Sequence, residues 1–320
     1  MNDALAKIIV ATSLGIFSLS ASAQSTLHHD VNVTLFPTEN RLAVSDIITL
    51  PIGIAASTGV EFDLNAQLQL SSLVGQGYSI VALDKEGETA TEDGRDLAAS
   101  TRYRIIFDDV PVPIALDYAG TINSEAQQRS AEYAQSFSST TGIISEQGVY
   151  LDHSSVWLAD FQLGLMSFEL EVQFDAPALQ WSAVSQGDEI GPNAWRSDQA
   201  MEEVYLVAAD FTTYRSESDG VEMLAYLRAP DPNLATRYLD ATARYLALYE
   251  PLLGEYPFSK FALVENFWES GYGMPSFTLL GEQIIRFPFI LESSYPHEIL
   301  HNWWGNSVYP DYETGNWSEG

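Results

Sequence analysis

His297-Glu298-Ile299-Leu300-His301, followed directly by Asn302-Trp303-Trp304-Gly305-Asn306, is the stretch that orders the rest of the chain. On a helix, residues four apart lie on one face, so His297 and His301 can offer two imidazoles to one metal ion while Glu298 projects beside them. Two neutral nitrogen ligands leave room for a third ligand and a water, which is the layout of a catalytic zinc site. A water held there has its pKa lowered to about 7, and Glu298 is placed to take its proton. A structural histidine pair has the same spacing. The next glutamate favours the metal: Glu319 follows His301 after a short connection containing Pro310 and Gly315, where a second helix can return a carboxylate to the ion. Two histidines plus one carboxylate is a recurrent catalytic set.

The run HEILHNWWGNSV, followed by EG, resembles the zinc signature of the aminopeptidase N family, gluzincin metallopeptidases that also include the leukotriene hydrolases. Trp303, Gly305, Asn306 and Val308 match the family's Trp-x-Gly-Asn-x-Val. The resemblance implies that His297, His301 and Glu319 bind zinc, that Glu298 is the general base, and that the substrate is a peptide. It also implies an α+β chain, with an N-terminal all-β saddle or sandwich domain followed by the first part of a zincin, thermolysin-like catalytic domain.

Two departures from the family pattern matter. Glu319 lies one residue closer to the second histidine than the family's third ligand does. One residue turns a helix by about 100°, so the deletion must fall in the connection, around 309–315, for the carboxylate to reach the metal. Trp317 stands where the family has leucine, Asn316 can instead be an N-cap with Glu319 as its capping-box partner, and Asp311 and Glu313 are substitute ligands. The second departure concerns the family's Gly-x-Met-Glu-Asn, whose glutamate grips a free amino terminus. Here the chain reads Gly271-Tyr272-Gly273-Met274-Pro275-Ser276. Gly271, Gly273 and Met274 are the expected substrate-binding residues, and Pro275 stands in the glutamate's place. Glu265 or Glu269 can approach the same space from the preceding strand.

Upstream, Lys7, the apolar run 8–19 and Ala21-Ser22-Ala23 read as a signal peptide of residues 1–23, cleaved before Gln24. A run this short spans a bilayer poorly, so a secreted or periplasmic protein with no membrane insertion after cleavage is expected. The sequence has no cysteine, which removes thiolate zinc sites and cysteine nucleophiles from consideration. At 320 residues and 46% hydrophobic, the chain can bury a core large enough to do without disulfides. Its net charge of −30 repels phosphate backbones and anionic lipid, so no nucleic-acid partner is expected.

Residues 24–211 read as the β domain. Val31, Val33 and Leu35 alternate with Asn32, Thr34 and Phe36, and further strand-like runs follow at 47–50, 78–83, 103–107, 114–122, 156–158, 168–174 and 204–207. The polar stretches 84–96 and 123–147 read as loops. His28, His29 and His153 lack ligand spacing and are expected at the surface or in turns. Residues 212–320 read as the incomplete catalytic domain. Asp231-Pro232 starts a helix whose apolar and tyrosine positions, 234–249, recur at helical spacing until Gly254. Strands are expected at 261–265 and 278–285, ahead of the histidine helix.

The chain ends at Gly320, one residue past Glu319. Family members continue with the rest of that helix, a tyrosine thought to stabilise the oxyanion and a helical domain, so the sequence is expected to be the front portion of a longer peptidase. The leading reading is a secreted zinc aminopeptidase. Pro275 keeps open a zinc endopeptidase or other hydrolase, and a non-catalytic zincin-like scaffold is the third alternative.

Overall fold

The strand Leu27–Phe36 turns Leu27, His29, Val31, Val33 and Leu35 inward and the residues between them outward. That is the alternation of a strand with one wet face. In the computed structural model, which describes residues 26–54, 56–83, 91–92, 95–128, 138–175 and 180–309, it pairs antiparallel with Arg41–Thr49 and parallel with Met166–Phe174. These belong to a seven-stranded sheet ordered Asp188–Gly191, Ala194–Met201, Met166–Phe174, Leu27–Phe36, Arg41–Thr49, Ile114–Thr121 and Leu68–Leu70. Two four-stranded sheets share its core. One contains Val60–Asn65 and Ser100–Phe107, the other Gly148–Leu151 and Leu206–Ala209. Leu35, Phe62, Ile105, Trp157, Phe168 and Leu206 meet in that common interior. The leader expected at 1–23 lies outside the described residues, as do Asp311, Glu313 and Glu319.

Three expectations for this half need correction. The stretch 156–158 is not a strand. Ser155 Oγ donates to the Asp152 carbonyl at 2.6 Å, closing the short 3-10 turn His153–Ser155, and Val156 follows in the left-handed region at φ 47°. Trp157 is then buried with its Nε1–H donating to the Val204 carbonyl at 3.2 Å. The two polar stretches carry short ladders, Thr91–Glu92 with Arg95–Asp96 and Gln127–Gln128 with Ser138–Ser139. Ile143–Ser145 is a further strand, drawn in because its two isoleucines reach the interior. His29 is not at the surface: it is fully buried, bonded through Nδ1 to Asp46 Oδ2 at 2.7 Å.

The second half is built on a five-stranded sheet ordered Thr212–Ser218, Val221–Leu227, Lys260–Asn266, Phe277–Gly281 and Gly271–Met274. Val221–Leu227 and Lys260–Asn266 run parallel, so the chain must cross back between them. Helix α1, Pro232–Leu253, makes that return. Asp231 Oδ1 accepts the Leu234 N–H at 2.9 Å as its N-cap, and Gly254, at φ 105°, follows its last turn. The helix tyrosines pack inward, and Tyr238 and Tyr245 also donate to the carbonyls of Ile285 and Leu291 at 2.9 and 2.8 Å. The expected strand 278–285 ends earlier, at Gly281, and Ile284–Arg286 forms a 3-10 turn. One face of the sheet carries α1 and the histidine helix. The other, through Leu224, Val264, Met274 and Phe277, shares a core with Tyr150, Val207 and Phe211. No helix of the described residues is long and apolar enough to cross a membrane.

Candidate active site

Helix α2, Ser294–Leu300, is seven residues long. A segment this short does not hold helical form alone, because nucleation fixes several residues for each bond gained. Packing supplies what length lacks. Tyr295 is buried against Tyr238 with ring centroids 4.7 Å apart, and its hydroxyl meets Thr242 Oγ1 at 2.6 Å. Trp303 Nε1–H donates to the carbonyls of Gly254 and Glu255 at 3.3 and 3.2 Å, tying the helix exit to the end of α1.

With that face anchored, His297 and His301 stand together on the other, their Nε2 atoms 3.0 Å apart. His301 Nδ1–H donates to the Trp304 carbonyl at 3.2 Å, which leaves its Nε2 as an acceptor turned toward His297. Burial, then the neighbouring His301, lowers the pKa of His297. The two Nε2 atoms face one another at a separation close to the roughly 3.3 Å between ligands of a tetrahedral zinc held at about 2.0–2.1 Å. The donor set therefore fits zinc. Among the described residues no group of three His, Asp or Glu side chains gathers, and Glu319, the expected third ligand, is outside them.

Glu298 lies against the edge strand Gly271–Met274. Burial pushes its carboxyl up to about 7. A Cβ added at Gly273 would stand 2.5 Å from Glu298 Oε2 and 3.4 Å from His301 Cδ2, so the absence of a side chain there makes room for the carboxylate. Gly273→Ala is expected to displace the flexible end of Glu298, so that any hydrolysis depending on that carboxylate has its kcat lowered about 10- to 100-fold, while stability changes by less than about 1 kcal/mol. Steady-state kinetics beside a thermal melt checks this; an unchanged kcat would show the contact to be idle.

Met274 departs from expectation. Strand alternation turns it away from Gly273, and it is buried in the core shared with the β domain, so its side chain does not face Glu298. Of the two acids offered in place of the missing glutamate, one is engaged through both oxygens and the other through one. Glu265 is buried, accepting Arg286 Nη1–H at 2.7 Å and the Arg228 N–H at 2.8 Å. Glu269 Oε1 accepts the Gln283 N–H at 3.0 Å, and its other oxygen is packed over Gly281 with no hydrogen-bond partner among the described residues.

Sequence reasoning missed Asn302 and Ser276. Asn302 is 0% exposed, donates from Nδ2 to the carbonyls of Glu298 and Ile299 at 3.2 and 3.1 Å, and accepts the Ser276 N–H at 2.7 Å. Its only local signal was an amide directly after the second histidine, on the turn that must enter the core.

No family model matches the sequence, and no curated protein matches it. Solved structures do. An M1 zinc metallopeptidase from Deinococcus radiodurans superposes with a TM-score of 0.58 at 13% identity over 88% of this chain and 65% of its own. An aminopeptidase N family protein from Idiomarina loihiensis gives 0.55 at 13% identity over 92% and 50%. Native yeast LTA4 hydrolase gives 0.53 at 13% identity over 87% and 44%. A mutant of the Deinococcus protein, bound to a Tyr-Ser-Ala substrate, superposes with a TM-score of 0.55 at 13% identity over 88% of this chain and 65% of its own. The chain thus has the aminopeptidase N-like, M1 metallopeptidase fold, and it spans 65% or less of the length of these proteins.

Proposed function

We propose that this chain, built on the M1 metallopeptidase fold, belongs to a zinc-dependent peptidase with Glu298 as general base. The observation that carries the reading is the pair of Nε2 atoms 3.0 Å apart on α2 with the Glu298 carboxylate beside the edge strand. His297 and His301 would hold the zinc, with Glu319 as third ligand. When bound, the ion would polarise the scissile carbonyl and acidify a water. Among the described residues Gly271–Met274 pairs on one side only, with Phe277–Gly281, so its other edge can take an extended peptide by backbone hydrogen bonds. Glu298 Oε2, facing Gly273, then takes a proton from the attacking water and returns it to the leaving amine. Metal analysis of the purified chain tests this: about one zinc per chain is expected, and no zinc, or hydrolysis that survives chelation, overturns it. A scaffold reading predicts no stoichiometric metal.

Aminopeptidase activity is the first form of the proposal. A specific observation favours a second, in which a free amino terminus is not required: Pro275 offers no carboxylate, and Glu265 is committed to Arg286 and the Arg228 amide. On this second reading, N-acetylated peptides are cleaved within about tenfold of free ones, since no buried ammonium–carboxylate contact of about 2–5 kcal/mol is lost. Paired kcat/KM measurements decide, and blocked peptides that resist cleavage return the first form. Export to the periplasm or medium rests on the 1–23 leader; a mature protein beginning at Gln24 is expected on N-terminal sequencing.

A further inference from the structure

Only three lysines occur in this acidic chain, and one of them, Lys260, is 3% exposed at the start of the central strand Lys260–Asn266. Its Nζ donates to the Ser185 carbonyl, from the β domain, at 2.8 Å and to Ser276 Oγ, from the edge hairpin, at 2.8 Å. Among the described residues no carboxylate forms an ion pair with it. Burial drags its pKa down to about 7, while Glu189, Asp188 and Glu222 favour the charge from further off. An ammonium held inside without a counter-ion destabilises a fold, and a hydrophobic residue of similar length is generally tolerated better.

The acceptor is equally out of the ordinary. Ser276 is fully buried at φ 65°, in the left-handed region where glycine would sit without strain. What serine adds over glycine is the hydroxyl that meets Lys260. The Ser276 N–H donates to Asn302 Oδ1 at 2.7 Å, and Asn302 Nδ2 donates to the Glu298 carbonyl at 3.2 Å. A continuous chain of hydrogen bonds therefore runs from the β domain through Lys260, Ser276 and Asn302 to the backbone of the proposed base.

We infer that Lys260 is a positioning residue for the peptidase site: it sets the edge hairpin against the β domain and, through Ser276 and Asn302, fixes how far Glu298 and the two histidines stand from the strand that receives substrate. The inference rests on the peptidase reading for its catalytic consequence and on the bond network alone for its mechanical one. The test compares the full chain with Lys260→Met, Ser276→Ala and Glu298→Gln, reading thermal midpoint, kcat, KM and hydrogen exchange at the Ser276 amide. For Lys260→Met, a midpoint equal to or above wild type is expected, with kcat down about 10- to 100-fold, KM within about threefold, and Ser276 exchange faster by about tenfold. Ser276→Ala is expected to show the same signs at smaller size. A raised midpoint with unchanged kcat and exchange overturns the inference, because the lysine is then merely tolerated. A lowered midpoint that accounts for the loss also overturns it, as an ordinary structural role. Should Lys260→Met fail to fold, unchanged kcat and exchange in Ser276→Ala overturn it alone. If Glu298→Gln hydrolyses peptides like wild type while Lys260→Met still speeds Ser276 exchange, the base assignment fails and the mechanical link stands.

Discussion

Glu298→Gln is expected to lower kcat for peptide hydrolysis by about 10²–10⁴, the range a positioned general base supplies. Glutamine keeps the size and the contact with Gly273 but cannot accept the water's proton. A second effect, on stability, separates this site from an ordinary surface glutamate. Burial raises the folded-state pKa of Glu298 from its ordinary 4.5 to about 7. A raised carboxyl pKa means that the folded state binds the proton more tightly than the unfolded one. Its favourable contribution is therefore full below pH 4.5 and is lost as pH rises to about 7. At 1.36 kcal/mol per pKa unit, the metal-free protein loses about 3 kcal/mol across that window. Glutamine has no charge to desolvate, so chelator-treated Glu298→Gln should gain about that much over wild type at pH 8 and little at pH 4. Denaturant melts at the two pH values measure it. A gap that does not change with pH would show that burial does not set the titration of Glu298, and wild-type kcat would remove it as base.

For His301→Ala, zinc affinity is expected to fall by more than about 100-fold, beyond the 10- to 100-fold that loss of an outer partner brings. The reason is geometric. Two imidazoles whose Nε2 atoms stand 3.0 Å apart make a chelating pair on one helical face, whereas His297 alone is a single exposed ligand. Zinc at a thousand times its Kd stabilises a folded binder by about 4 kcal/mol, so the wild-type midpoint should rise with added zinc while that of His301→Ala stays flat. Equilibrium dialysis with chelator buffers reads the affinity directly. A variant that still binds one zinc per chain would dismiss His301 as a ligand.

How much was readable in advance differs residue by residue. The alternation from Val31 to Phe36, the Asp231 cap and the span of α1 were visible because each depends on side chains a few positions apart. The strand Gly271–Met274 was not anticipated, and neither was the side to which Met274 points. It depends on which sheet face receives the β domain, and that is a contact between segments more than 60 residues apart, as with Val207 and Met274. His29 was misjudged for a similar reason. A histidine in an alternating strand goes inside when a distant partner answers it, and Asp46 does so from the neighbouring strand.

From sequence alone came the convergence of two imidazoles and the adjacent acid, since a 3.6-residue repeat is a local property and needs nothing beyond the helix to place His297 and His301 on one side. Tertiary structure decided how the acid on the central strand is bonded and how Glu298 is seated. The partners that occupy Glu265 are Arg286 and the Arg228 amide, 21 and 37 positions away, and the room for Glu298 is a missing side chain on a separate strand. Hydrogen bonds and clearances of that kind exist only once the chain has closed on itself, so no local pattern encodes them.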